Sequence, residues 1–559
     1  MQEKKQFKSV LLLKVPYCSH PDSLSESDFR AKMTFRPLPS LALAVLSAFL
    51  EKYKTYDYNI KAIDLNIEAY TEPGIPVDIS VYPSLLVKAI QNNNYDVLAL
   101  SVSFVFNVKW VEDAVKLSRK FHPDAKIIIG GGYPTLFSER CLEKHDIDDA
   151  IIGEGEATLL HILNRYNNHK DANFDEKFPP GFYASKIKEG EINIIKGGHH
   201  FINLADLPLP AWDYLNIDEY FKKSGDTTLP IEGSRGCPYR CSFCSTFLAW
   251  GGRVRYKPVD NLIKEILELK KNYPDLKRLL FVDDNLSFQK EWIVDFLTRL
   301  INMKLPLKID IINFSVKHLD EEIIKLLKQA GLDFFIIAVE TGSPEMQKRI
   351  NKNINLDKVR EVVKIMKKYD LQIGISWMLG FPKETMEQIN ETLNFARELK
   401  VFHNQFFSVL PYPGTQLFKE AKEANLLLFS EDALDKYDYR QGGYLKSDQW
   451  NDKQLKDIIY DINIETNFLD NQYLETAEKR EVFLGNLENF LLTLPDHIIA
   501  HLVVGYIYNQ KNCQTDCEKH YNCAKELFKD KTLSETFTKY LSWDNPIIKN
   551  FNQFINKNL

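Results

Sequence analysis

Three of the eight cysteines in this 559-residue chain stand close together in the segment EGSRGCPYRCSFCSTF, which begins at Glu232. Cys237, Cys241 and Cys244 give the spacing C-x3-C-x2-C on a short loop after an apolar, strand-like run. A dense thiol set in so long a chain argues for metal chemistry in a reducing compartment over a disulfide framework. The number of thiols is informative. A structural zinc site closes with four ligands, and a [4Fe–4S] cluster used only for electron transfer usually takes four cysteines. No other Cys or His occurs between His200 and Cys237 or between Cys244 and His318. Either a fourth ligand arrives from a remote part of the chain, or one corner of a metal centre stays open to another molecule.

Two further sets of residues invite a chemical reading. Cys513, Cys517, His520 and Cys523 form a second cluster, and on a helix the first three would share one face. Cys517, however, takes the small-residue core position of a repeat-like pattern, where a buried thiol acts as a compact hydrophobe. Glycines are the other set: Gly130, Gly131, Gly132, Gly153 and Gly155 fall just beyond apolar runs. In open α/β sheets ligands sit beyond the carboxyl ends of the strands. Such glycines either admit a bulky or phosphorylated group close to the backbone or simply turn the chain.

The elements that must position these residues follow from periodicity. From Val10 to Asn167 short apolar runs alternate with amphipathic stretches, which predicts a Rossmann-like parallel sheet with crossover helices. Its strands begin at Val10, Ile60, Val97, Lys126 and Ala150. Its helices cover Ser40–Lys54, Ser84–Gln91, Val108–Phe121 and Ala157–Tyr166. Residues 171–226 read as a connector, with a hairpin turning at Glu189-Gly190 and then a proline-punctuated run. A second alternating region, 227–428, carries six βα units beginning at Leu229, Arg278, Lys308, Asp333, Gln372 and Gln405. This suits a partial (β/α)6 barrel with its chemistry at the carboxyl-end mouth. Residues 429–559 are helical in pattern, and Gly505, Tyr508, Cys517, Tyr521 and Ala524 stand at the offsets of one tetratricopeptide-like helix pair. The fold class is therefore α/β with an all-helical C-terminal region.

Composition narrows the function classes. With 44% hydrophobic and 26% charged residues the chain should fold throughout. A net charge of −6 offers no basic field for nucleic acid. The longest apolar run, Leu38 to Leu50, is shorter than the ~20 residues that span a bilayer. The lysine-rich start is followed by no small-residue cleavage site, so the expected location is the cytoplasm.

The three-cysteine spacing, with Phe243 just before the last cysteine, closely resembles the signature of the radical S-adenosylmethionine (SAM) superfamily. The first 170 residues resemble the cobalamin-binding domain that precedes the barrel in one large branch of that superfamily. This likeness rests on LPSLALAVLSAFLEK after the first strand and on SVSF, IIIGGGYPT and IIGEGE in that order. The resemblance implies that Cys237, Cys241 and Cys244 hold a [4Fe–4S] cluster whose open iron binds SAM. It implies SAM contacts from Phe243, Asp283, Asp284, Asn285, Ser315, Glu340, Gly342, Ser343 and Gly380, although the usual Gly-Gly-Glu is replaced by Asp283-Asp284-Asn285. It implies cobalamin contacts from Ser101, Ser103, Gly130, Gly131, Gly132, Gly153, Glu154, Gly155 and Glu156. The D-x-H-x-x-G motif, whose histidine ligates cobalt in other cobalamin proteins, is absent. That implies cobalt without a histidine lower ligand, or a domain that has lost cobalamin.

The activity so implied is methyl transfer to an unactivated carbon, by way of a 5′-deoxyadenosyl radical and methylcobalamin, with an external one-electron reductant. Cyclisation or rearrangement with the same cofactors is the first alternative. A metal-stabilised peptide-binding protein is the second. The sequence does not name the substrate or a catalytic side chain; a peptide or a natural-product intermediate is expected, the peptide by analogy with helical repeats that bind extended chains.

Overall fold

The computed structural model describes residues 6–23, 37–73, 77–168, 177–179, 181–186, 192–195, 201–430, 433, 436 and 443–557. Seven strands make the first sheet: β1 Ser9–Lys14, β2 Asn59–Asp64, β3 Val97–Ser101, β4 Lys126–Gly130, β5 Asp149–Ile152, β6 Phe182–Lys186 and β7 Ile192–Ile195. Their order is β2-β1-β3-β4-β5-β6-β7. The first five are parallel, and Leu12, Leu98, Ile127 and Ile129 are fully buried along them, as strands covered by helices on both faces require. β1 lies between β2 and β3, so the winding reverses there, and the register sets Lys14 beside both Asp64 and Ser101.

Two departures from the sequence reading have clear causes. β6 and β7 add to the sheet as an antiparallel hairpin, so the sheet runs past residue 170 into what reads as a connector. The turn placed at Glu189-Gly190 lies outside the described residues. A helix at Gly132–Lys144 has no counterpart among the expected helices: Pro134 sits in its first turn and Phe137 departs from helical geometry (φ −137°, ψ 42°), which breaks the periodicity.

Between the sheets, β8 (Thr228–Ile231) begins the barrel, and a two-residue ladder of β9 (Ser234–Arg235) with β10 (Arg255–Tyr256) brackets the cysteine segment. The barrel continues with β11 (Arg278–Phe281), β12 (Lys308–Phe314), β13 (Leu332–Glu340), β14 (Gln372–Leu379) and β15 (His403–Ser408). The six strands are parallel in the order β15-β14-β13-β12-β11-β8.

β15 is an edge strand, and a helix of the C-terminal region satisfies its backbone. Asn467 accepts from Asn404 N at 2.7 Å and donates to Asn404 O at 2.7 Å. Asn463 does the same with Phe406, both at 3.2 Å, and Asn471 donates to Phe402 O at 2.8 Å. Four helical residues rise about 6 Å and two strand residues about 6.6 Å, so amides four apart meet strand residues two apart. The supporting helix, Asp452–Ile464, runs on into a π-helical turn at Glu465–Leu469.

This helix also moves a boundary. Trp450, Leu455 and Ile462 belong to the main core, whereas a separate core starts at Ile464 and includes the helix pair Ile498–Gln510 and Gln514–Leu527. The barrel unit therefore extends past residue 428. Among the described residues no helix is long and apolar enough to cross a membrane.

Candidate functional site

The loop after β8 is built on the residues that follow β11. Asp283, 2% exposed, accepts from Gly233 N, Ser234 N and Ser234 Oγ. Asp284 accepts from Gly236 N at 3.0 Å, and Asn285 Nδ2 lies 3.7 Å from Cys237 Sγ. Gly236 has φ +94°, and a Cβ there would sit 1.9 Å from Arg253 O, so only glycine closes this turn. Asp283, Asp284 and Asn285, expected to meet SAM, thus use their side chains to shape the cysteine loop. Burial pushes the Asp283 carboxyl up to about 7, against the hydrogen bonds from Ser234 and Gly233.

Segments that follow β12 and β13 hold the far side of the loop. Tyr239 hydrogen-bonds His318 at 2.6 Å, Asn351 donates to Arg240 O at 2.8 Å, and Ser242 N donates to Ile350 O at 2.9 Å. Lys352 pairs with Glu340 at 3.1 Å; its burial disfavours the charge, and Glu340 and the Cys241 and Cys244 sulfurs outweigh that. Glu340, at φ +75°, holds this cation beside the thiols. All three cysteines are half-buried, Cys244 N bonds Cys241 O at 3.1 Å, and Cys244 lines a cavity of about 610 Å³. One loop carries all three thiols, with a cation beside them and one thiol on the cavity wall; among the described residues no three His, Cys, Asp or Glu side chains gather closely enough to hold a metal ion as they stand, so the loop offers the donors of an iron–sulfur cluster rather than a closed metal site.

The remaining expected SAM contacts come from the loop and from the ends of three strands. Phe243 lines the same cavity and meets Phe381 edge-on at 6.1 Å. Ser315 N bonds Ser287 Oγ at 3.1 Å at the end of β12. Gly342 packs outward: a Cβ there would be 2.7 Å from Phe395 Cβ and 2.9 Å from Thr392 Cα on the helix Met386–Leu399. Ser343 is fully buried, and its hydroxyl has no hydrogen-bond partner. Gly380 (φ +88°) would place a Cβ 2.5 Å from Leu455, so it seats the C-terminal helix. Packing against Phe395 and Thr392 accounts for the glycine at 342, and seating of Leu455 for the glycine at 380.

Glu384, unremarked in the sequence, closes the turn at Gly380 by accepting from Gly380 N at 2.7 Å and Phe381 N at 3.0 Å. Its Oε1 is buried without a partner, and burial raises its carboxyl from 4.5 to about 7, only partly opposed by the two N–H groups. Between those values the folded chain keeps a proton that the unfolded chain has released, so stability falls as pH rises from about 4.5 to about 7 and stays lower above. Glu384→Gln is therefore expected to raise the thermal midpoint at pH 8 by the equivalent of roughly 1–3 kcal/mol, with the gain shrinking at pH 5.

Facing the cysteine loop, the carboxyl ends of the first sheet form a cradle. A cavity of about 310 Å³ is lined by apolar side chains such as Leu12, Leu43 and Ile128, together with Ser101, Gly130, Gly131, Gly153 and Gly155. A Cβ added at Gly130, Gly153 or Gly155 would meet nothing closer than 3.5 Å, so those three leave room for a ligand. At Gly131 and Gly132 it would lie 2.4 Å from Val102 O and 2.2 Å from Ser103 O, so these two are required by the chain itself.

Glu154 and Glu156 are held by arginines of the barrel side. Arg235 sits between them, 3.0 Å from Glu154 and 2.8 Å from Glu156, and also bonds Glu232 at 2.8 Å. Arg255 adds a 2.6 Å contact to Glu154. Against its burial, Arg235 and Arg255 hold Glu154 below the usual carboxylate range. These pairs tie the first sheet to the cysteine loop. Glu156 Oε2 is left buried without a partner on the cavity wall. An orphaned acceptor beside open glycines suits a ligand rich in primary amides, as cobalamin is.

Lys14, at the end of β1, carries no local sequence signal of its place beside the cradle. It is 2% exposed and donates to Ser103 Oγ at 2.5 Å and Ser101 Oγ at 3.4 Å. Burial lowers its ammonium to about 8, partly opposed by Asp64. In the C-terminal cluster, Cys517 is buried, Cys523 is exposed and His520 bonds His501 at 2.9 Å, so these groups face different ways.

A six-stranded parallel barrel with a three-thiol loop at its mouth, faced by a glycine-edged Rossmann-like sheet, defines a two-cofactor radical enzyme architecture. The comparisons with known proteins agree. Residues 36–163 match the B12 binding domain and residues 231–396 match the Radical SAM superfamily. The chain belongs to the cobalamin-binding branch of the radical SAM enzymes. An iron–sulfur cluster, SAM and cobalamin are accordingly its cofactors.

Among curated proteins, the chain is 27% identical over 394 residues to an uncharacterized methyltransferase of Pyrococcus horikoshii, covering 70% of this chain and 80% of that one. It is 22% identical to an anaerobic magnesium-protoporphyrin IX monomethyl ester cyclase of Rubrivivax gelatinosus, covering 68% of each. Among solved structures, the cobalamin-dependent SAM radical enzyme OxsB with aqua-cobalamin bound superposes with a TM-score of 0.63 at 15% identity, over 98% of this chain and 84% of that one. The radical SAM methyltransferase TsrM from Kitasatospora setae, with cobalamin and a [4Fe–4S] cluster bound, gives 0.59 at 16% identity, over 75% and 78%. These two likenesses concern the fold.

Proposed function

We propose that the protein is a cobalamin-dependent radical SAM methyltransferase acting at an unactivated carbon. The observation that carries this is a shared space: Cys244 and Phe243 line the same cavity as Gly131, Gly132 and Gly153. In that arrangement the cluster with SAM supplies hydrogen-atom removal by one-electron chemistry, and cobalamin supplies the methyl group. The chain's own task is positional. Cys237, Cys241 and Cys244 would hold the cluster, with Lys352 and Glu340 beside it. Gly130, Gly153 and Gly155 would give the corrin and its nucleotide tail room, and the Arg235 ion pairs fix the distance between the two halves. A reducing, cytoplasmic setting with a one-electron donor is part of this proposal.

Anaerobic turnover with SAM and a reductant tests it. A product heavier by ~14 Da, with both 5′-deoxyadenosine and S-adenosylhomocysteine formed, is expected; 5′-deoxyadenosine alone with no mass gain would favour cyclisation or rearrangement, the activity of the cyclase relative.

Lys14 allows a test of cofactor binding that needs no substrate. An ammonium group only donates, so the Ser101 and Ser103 oxygens accept from it and their own O–H groups are left to donate into the two cavities. Lys14→Met is expected to weaken hydroxocobalamin binding by about tenfold, read as Kd by absorbance. Unchanged affinity would remove the serines from the proposed site.

A further inference from the structure

We infer that an acidic protein carrying a one-electron centre docks on the outer side of the cysteine loop, at a patch formed by Tyr239, Arg240, Phe288, Lys317 and His318. The inference rests on the reaction proposed above, in which an outside donor reduces the cluster, and it adds the surface that the donor meets.

None of these five residues lines the cavity shared with the glycine cradle or the one behind it, so the patch is outside the space given to SAM and cobalamin. Electron transfer weakens steeply with distance, and a donor protein must therefore approach where least of the chain intervenes. On this side the loop itself is the surface: Arg240 is exposed, and Cys237, Tyr239 and Cys241 are half-buried. The Tyr239 hydroxyl meets His318 Nε2 at 2.6 Å. The His318 ring meets Phe288 edge-on with centroids 5.8 Å apart, and Phe288 is 42% exposed. Aromatic rings and arginine are the side chains in which protein interfaces are enriched.

Charge selects the partner. Arg240 lies 4.4 Å from the Phe247 ring and Lys317 4.5 Å from the Tyr239 ring, and neither has a carboxylate partner among the described residues. Burial works against the Lys317 charge, and the Cys241 and Cys237 sulfurs favour it, which puts this cation beside the loop. The neighbouring acids are already taken: Asp320 and Glu322 by Lys290 at 2.6 and 2.7 Å, and Glu340 by Lys352 at 3.1 Å. In a chain of net charge −6 this leaves a local positive spot. An acidic protein is repelled by the chain as a whole and drawn to that spot, and complementarity of this kind sets orientation and association rate more than final affinity. Once docked, the reduced carrier loses one electron and the cluster gains it; no bond is made or broken.

Flavodoxin, a small acidic flavin protein, is the probe, and photoreduced deazaflavin, a small uncharged donor, is the control. Each would be mixed in its reduced form with anaerobic holoenzyme whose iron has been counted, and cluster absorbance followed. The rate constant with flavodoxin should fall at least about tenfold between about 50 and 300 mM salt. Arg240→Glu combined with Lys317→Gln should lower it about tenfold at low salt and weaken binding of oxidised flavodoxin in parallel, while the deazaflavin rate changes less than about twofold. Should the double variant hold less iron, the salt dependence of the wild type decides alone. Flavodoxin reduction indifferent to salt, a double variant with full iron that is unchanged or slowed equally with both donors, or failure of flavodoxin where deazaflavin succeeds would overturn the proposal. Low iron in the wild type, or a cluster that neither donor reduces, would instead count against the radical SAM reading.

Discussion

Alanine at Cys241 is expected to abolish reductive SAM cleavage, lowering 5′-deoxyadenosine formation by at least about 1,000-fold, and to drop reconstituted iron from about four per chain to below about one. Its chain neighbours Tyr239, Arg240, Ser242 and Phe243 are not soft ligands, and Lys352, the cation that most favours its thiolate, is paired with Glu340. The loop should keep its shape, since Ser242 N to Ile350 O and Asn351 to Arg240 O do not involve the sulfur. The thermal midpoint measured without iron should therefore hardly move. Metal analysis of the wild type sharpens this: zinc in place of iron and labile sulfide, with no SAM cleavage, would favour a metal-stabilised binding protein over an enzyme.

Arg235→Met should be the most destabilising single change at the junction of the two sheets. Arg235 is 7% exposed and is shared by Glu154, Glu156 and Glu232. Removing it leaves Arg255 to serve Glu154 and leaves Glu156, 5% exposed, with no cation. Breaking a buried pair from one side costs about 3–5 kcal/mol, because a carboxylate remains desolvated and alone. Chemical denaturation of the cofactor-free chain would measure this. Adding Glu156→Gln to Arg235→Met should restore part of the loss, and a double variant as unstable as the single one would show that the arginine acts through packing alone.

The sequence made the strands of both sheets readable because runs such as Leu11–Leu13 and Ile127–Ile129 are apolar throughout, as strands covered on both faces must be. The cysteine spacing was legible for a different reason, since all three donors lie within eight residues of one loop. What could not be read depends on distant partners. Glu154 and Glu156 look like ligand contacts beside their glycines, and the arginine that pairs them lies 81 residues beyond Glu154. Gly342 and Gly380 end strands as a mouth glycine would, yet one meets Phe395 and the other Leu455. Lys14 closes an apolar strand, and nothing local in the sequence sets it beside Ser101; that follows only once β3 is placed in the register.

The asparagines at 463, 467 and 471 carry a consequence for how copies of this protein coexist. An open barrel ends in a strand whose amide and carbonyl groups invite another strand to dock, which is a common route to intermolecular association. Here a helix impersonates the missing neighbour, presenting carboxamides at nearly the spacing a seventh strand would offer. The β15 margin of the barrel is thereby covered against strand exchange without being closed into a ring.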